Sequence, residues 1–118
     1  MVRIPDRGRF ELRLMDGAAN PYLMQAGVLA AGLDGVENER DPGKRLDINM
    51  YTEGHKIRGL RRLPANLLDA IRLFEKSKVL RSGFGDALVD SYSKLKYQDW
   101  RSYSSAISQW ERDHTLDC

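Results

Sequence analysis

Between residues 9 and 14 charged and apolar side chains alternate without a break: Arg9, Glu11 and Arg13 against Phe10, Leu12 and Leu14. A period of two is the mark of a strand that buries one face and wets the other. Residues 2–5 form a second short segment. The turn-like Asp6-Arg7-Gly8 joins it to the first, so the pattern predicts an antiparallel hairpin over 2–5 and 9–15. Asn20 followed by Pro21 predicts a helix start, because Asn accepts from the free N–H groups of the first turn and the proline φ is already helical. From Tyr22 to Val36 the only charged residue is Asp34. A helix with so little polar face is expected to be enclosed by protein. Gly27, Ala30, Ala31 and Gly32 would let another backbone come close, and Asn38, Pro42 and Gly43 end the element.

Residues 41–62 hold Pro42, Gly43, Gly54 and Gly59 and no sustained period, which predicts a long irregular connection. From Pro64 to Lys78, Leu67, Leu68, Ile71 and Phe74 fall at helical spacing, with Ser82-Gly83 as the next interruption. Phe84, Leu88, Tyr92, Leu95, Tyr103, Ile107 and Trp110, with Trp100 filling the gap, predict an amphipathic helix of roughly 28 residues bent near Gln98. The fold class is therefore α+β and mostly α-helical: a short N-terminal antiparallel strand pair followed by about three helices. A two-stranded ribbon is marginal alone, and two helices can hardly enclose a third that is apolar all round. Both features predict that these elements are part of a larger body.

Composition narrows the function. A chain of 118 residues fits one domain. With 42% hydrophobic and 31% charged residues it reads as globular, neither a disordered tail nor a membrane protein. A net charge of +2 is too balanced for an obligate nucleic-acid binder, and the helix at 22–36 is too short for a bilayer. The N-terminal MVRIPDRGRFELRL has no apolar core and so is no signal peptide, and the single cysteine, Cys118, cannot form an intrachain disulfide. The location expected from these features is cytoplasmic.

Other chemical candidates are weak. His55 and His114 have no partner at metal-ligand spacing and read as surface or capping residues. Lys56, Arg58, Arg61 and Arg62 read as a solvated charge run. SGFGDAL lacks the third glycine of a dinucleotide fingerprint, so Gly83 and Gly85 are expected to break one helix and start the next. Tyr92, Trp100, Tyr103 and Trp110 at helical spacing are expected in a core.

The strand face is more specific. Side chains two apart on a strand emerge about 6.6 Å apart, at ~3.3 Å per residue, so one face can hold a phosphate, a cation and a carboxylate in a row. Arginine forks suit the two anions and a hard carboxylate suits the cation. Alone, the same three residues describe an ordinary solvated face with cross-strand ion pairs.

The order "RIP", "RFELRLMDGAANPYL", "AGLDGVENERDPG" resembles the C-terminal part of the catalytic domain of glutamine synthetases, in particular the type III glutamate-ammonia ligases and the related γ-glutamylmethylamide synthetases. The resemblance implies that residues 1–118 are the C-terminal segment of a catalytic domain that is incomplete here. It implies ATP and Mg²⁺ or Mn²⁺ as cofactors, and glutamate with ammonia or a small amine as substrates. It further implies a homo-oligomer, and the remainder of the catalytic domain as partner. By the same resemblance Glu11 is the metal ligand, Arg9 the catalytic arginine at the nucleotide phosphate, Arg3 a further nucleotide-phosphate contact, and Arg13 the partner of the glutamate carboxylate. The family's other metal ligands lie upstream, so the fragment alone is expected to be inactive. The competing reading is a noncatalytic helical protein-interaction module.

Overall fold

The computed structural model describes residues 2–115; the readings on Cys118 lie outside the described residues. The chain divides into two compact units, residues 1–39 and 40–118.

In the first unit β1 (Val2–Asp6) pairs antiparallel with β2 (Arg9–Leu12), as the alternation predicts. Gly8 in the turn has φ 73°, a left-handed conformation that a side chain strains. The partners are Asp6 with Arg9, Arg3 with Glu11 and Val2 with Leu12, so the register slips by one between Arg3 and Asp6. Ile4 and Pro5 thus oppose the single residue Phe10, which is a β-bulge. β2 stops at Leu12 and not at residue 15, because its last described partner on β1 is Val2.

α1 spans Pro21–Glu37. The Asn20 side chain accepts from the N–H groups of Tyr22 at 3.0 Å and Leu23 at 3.1 Å, the cap the sequence predicts. Asn38 closes the helix, its Nδ2 donating to the Asp34 carbonyl at 3.0 Å. Nothing in this unit encloses it: α1 buries no residue, and Tyr22 and Val36 are 81% and 77% exposed, so the enclosure expected of a larger body is not supplied by these residues. A Cβ placed on Gly32 would meet nothing within 4 Å, so no second backbone uses that small residue among the described residues.

In the second unit a single turn, α2 (Met50–Glu53), runs into a 3-10 turn at Gly54–Lys56 within the otherwise irregular connection. α3 (Leu67–Lys76) is capped by Asn66, whose side chain accepts from Asp69 N at 2.9 Å. Ser77 then breaks the chain and caps α4 (Lys78–Phe84). The expected interruption at Ser82-Gly83 is displaced: both residues lie inside α4, and Gly85, at φ 80°, makes the break. α5 (Asp86–Ser105) continues through Gln98, where a bend was expected, and the break falls at residues 106–108. There Ser108 and Glu111 form a reciprocal cap: Ser108 N donates to Glu111 Oε2 at 2.7 Å, and Glu111 N to Ser108 Oγ at 3.2 Å. α6 (Gln109–Thr115) follows. Among the described residues the three expected helices are thus six, because Ser77 and residues 106–108 divide two of them and α2 forms inside the connection.

α3, α4 and α5 pack together around Ile71, Val89 and Ser93, the buried residues among those described. Phe74 meets Phe84 at 6.3 Å and Tyr92 edge-on at 5.7 Å. Arg81 clips the three helices: it donates to the Glu75 carbonyl at 2.8 Å and reaches Asp86 and Asp90, each at 2.9 Å. The aromatic stripe divides, since Tyr92 and Trp100 are half-buried while Tyr103 and Trp110 are exposed, contrary to their expected place in a core. No described helix is long and apolar enough to cross a membrane.

Candidate functional site

The hairpin gathers all four sequence-derived candidates on one face. Arg9 precedes Glu11 by two residues on β2, Arg13 follows it by two just past the end of that strand, and Arg3 faces it from β1. Their guanidinium groups converge on one carboxylate: Arg9 Nη2 reaches Glu11 Oε1 at 3.1 Å, Arg13 Nε reaches Oε2 at 3.3 Å, and Arg3 Nη1 reaches Oε2 at 3.4 Å. Glu11 is the enclosed hub, with its side chain 30% exposed against 56–66% for the arginines. Such exposed pairs contribute at most about 1 kcal/mol each, so their value lies in placement more than in stability.

Three guanidinium groups and one carboxylate leave an excess of positive charge on this face. Guanidinium forks bind phosphate and carboxylate oxygens through paired hydrogen bonds, so the face suits anionic ligands on both sides of Glu11. Glu11 offers hard oxygen to a divalent cation. It offers only one side chain: among the described residues no three His, Cys, Asp or Glu lie together as a metal site. The donor set fits one position of an octahedral shell, and the other ligands must come from outside these residues.

The remaining candidates do not converge. His114 is occupied by the Trp110 carbonyl at 2.8 Å, and its ring stacks on the Trp110 indole at 4.5 Å. Lys56 pairs with Glu53 at 3.1 Å on an exposed surface. A cleft between α3 and α5, which periodicity did not single out, is lined by Glu75, Asp90, Lys94, Tyr97, Gln98 and Arg101. Within it Tyr97 Oη donates to Glu75 Oε2 at 2.8 Å, a bond that raises the Tyr97 pKa above its ordinary value. Asp90 is held by Arg81. These are helix-to-helix ties, and the only signal for them in the sequence is the three- and four-residue spacing along α5.

Sequence reading placed Arg9, Glu11 and Arg13 together from alternation alone. Arg3 joins them through the bulge, for which the one local signal is Pro5: within sheets, proline sits at edges, strand starts or bulges.

Comparison with known proteins places the chain in a family. The chain is 53% identical over 117 residues to a glutamine synthetase of Rhizobium leguminosarum bv. phaseoli and 50% identical to one of Rhizobium meliloti. It is 42% identical over 120 residues to a glutamate–methylamine ligase of Methyloversatilis universalis. Each comparison covers 99% of this chain but 27% of the relative, so the chain spans about a quarter of the length of these proteins. The family model described as the glutamine synthetase catalytic domain matches residues 1–115. With nearly its whole length matched, this chain belongs to the glutamine synthetase catalytic-domain family.

Proposed function

We propose that residues 1–118 are the C-terminal segment of the catalytic domain of a cytoplasmic, homo-oligomeric, ATP-dependent glutamate–ammonia ligase. In that enzyme Arg3 and Arg9 hold nucleotide phosphate, Arg13 orients the carboxylate of substrate glutamate, and Glu11 contributes one oxygen ligand to Mg²⁺ or Mn²⁺. The bound cation supplies charge neutralisation beside the transferred phosphoryl group. The side-chain carboxylate of glutamate takes the γ-phosphoryl group of ATP, releasing ADP. Ammonia or a small amine then displaces phosphate from the acyl phosphate and forms the amide. Arg9 and Arg3 balance the phosphate charge throughout, and Arg13 orients the bound glutamate through its carboxylate. With one metal ligand of its own, the chain alone is inactive.

The observation that carries this reading is the convergence of three guanidinium groups on Glu11 on one face of the hairpin, in a chain of this family. The competing interaction-module reading draws on exposed apolar residues such as Tyr103, Ile107 and Trp110. It leaves the charged face without a role. In the complete enzyme containing this chain, Glu11→Ala is expected to lower amide formation at least about 100-fold with an unchanged circular-dichroism spectrum. Turnover within a few-fold of the parent would remove Glu11 from the cation site, and a complete enzyme that forms no amide from glutamate, ATP and ammonia or methylamine would remove the ligase reading.

A further inference from the structure

The pairing at the turn, Asp6 with Arg9, does not by itself bring Arg3 to Glu11. Counted back through an unbroken antiparallel ladder it would set Pro5 against Phe10, Ile4 against Glu11 and Arg3 against Leu12. Opposed residues share a face, so Arg3 would then stand with Phe10's neighbours on the apolar side, away from Glu11. The observed pairs are Arg3 with Glu11 and Val2 with Leu12, because Ile4 and Pro5 together occupy the space opposite Phe10. The ion pair between Arg3 Nη1 and Glu11 Oε2 at 3.4 Å exists only in this slipped register.

Pro5 supplies a local cause. Its ring fixes φ near about −65°, whereas an antiparallel strand wants about −140°, so proline strains a regular pleat even at an edge and favours a bulge. We infer that Pro5 is a positioning residue: it holds the one-residue bulge that turns Arg3 onto the ligand face beside Glu11. The function of that arginine, binding nucleotide phosphate, rests on the reading under Proposed function; the register does not.

The test is a register shift and its reversal in the full chain. In Pro5→Val the ladder is expected to become regular, and cross-strand proton contacts in NMR spectra to move from Arg3–Glu11 to Arg3–Leu12. Combining Pro5→Val with deletion of Ile4 removes the extra residue and is expected to return Arg3 to Glu11 without any bulge. A proline that served only rigidity would not be rescued by shortening the strand. Retention of the Arg3–Glu11 contact in Pro5→Val overturns the inference, and so does a ribbon lost in that variant and not recovered by the deletion. In the complete enzyme Pro5→Val is expected to raise KM for ATP about tenfold, the loss of one charge-assisted hydrogen bond, with a smaller change in kcat and recovery in the deletion variant. If the NMR contacts move as expected while KM for ATP does not, the register assignment stands and the phosphate role of Arg3 fails.

Discussion

Residues 2–39 carry every candidate ligand-binding side chain and bury none of their own, whereas residues 40–115 enclose Ile71, Val89 and Ser93 and use their convergent charges, Arg81 with Asp86 and Asp90, to tie helices together. The contrast follows from patterning. α3 concentrates its apolar residues on one stripe, so α5 can cover them and the polar remainder meets water. α1 is apolar around its whole circumference, and no single neighbour can cover such a helix. The ribbon is similar in kind: its second face shows Val2 at 55% and Phe10 at 64% exposure. The unit that bears the candidate site is the one least able to complete a core from its own residues.

Ile71→Ala tests the self-sufficient unit most severely. With Ile71 4% exposed, the substitution is expected to cost about 2–5 kcal/mol in urea unfolding followed by circular dichroism, while leaving the cross-strand contacts of the ribbon intact. A coincident loss of the ribbon would break the comparison. Ser93 sharpens it in the opposite direction. Its hydroxyl is buried without a hydrogen-bond partner, so Ser93→Ala is expected to stabilise the helical unit by about 1 kcal/mol in the same titration.

A pH dependence separates the units further. The hydrogen bond to Glu75, aided by desolvation, keeps Tyr97 protonated and raises its pKa above the ordinary 10.0. The stability this pair contributes is complete below that value and is lost as pH climbs through the raised, folded-state pKa. An alkaline unfolding component is therefore expected for the helices that Tyr97→Phe removes, seen by circular dichroism above pH 10. The smallest effect belongs to α1. Val36→Ala, at a site 77% exposed, is expected to change stability of the chain by less than about 0.5 kcal/mol; a larger loss would mean that α1 is covered in solution.

Much of the architecture was legible because its signals are local. Asn20-Pro21 marks the start of α1 through hydrogen bonds that span three residues. Leu67, Ile71 and Phe74 mark α3, although its true start needs the Asn66 cap and its end the break at Ser77. The end of α5 was missed because the apolar series steps evenly across residues 106–108. The Ser108 and Glu111 cap, a local signal, gives the new start that periodicity hides. Tyr103 and Trp110 were misplaced for a different reason. Spacing says which residues share a face, while whether anything covers that face depends on a distant part of the chain.

By itself the sequence determined that Arg9 and Glu11 point one way, because alternation along a strand is fixed by the backbone of that strand alone, and Arg13 keeps the same side one residue past its end. It also determined the family, through motifs that lie within a few residues of one another. Only the tertiary structure decided how Arg3, which the family resemblance already assigns to the same site, comes to face Glu11. Which residues of two strands stand opposite depends on how many residues each spends between shared pairs, and the extra residue at Ile4-Pro5 is what turns the fourth charge to the same side.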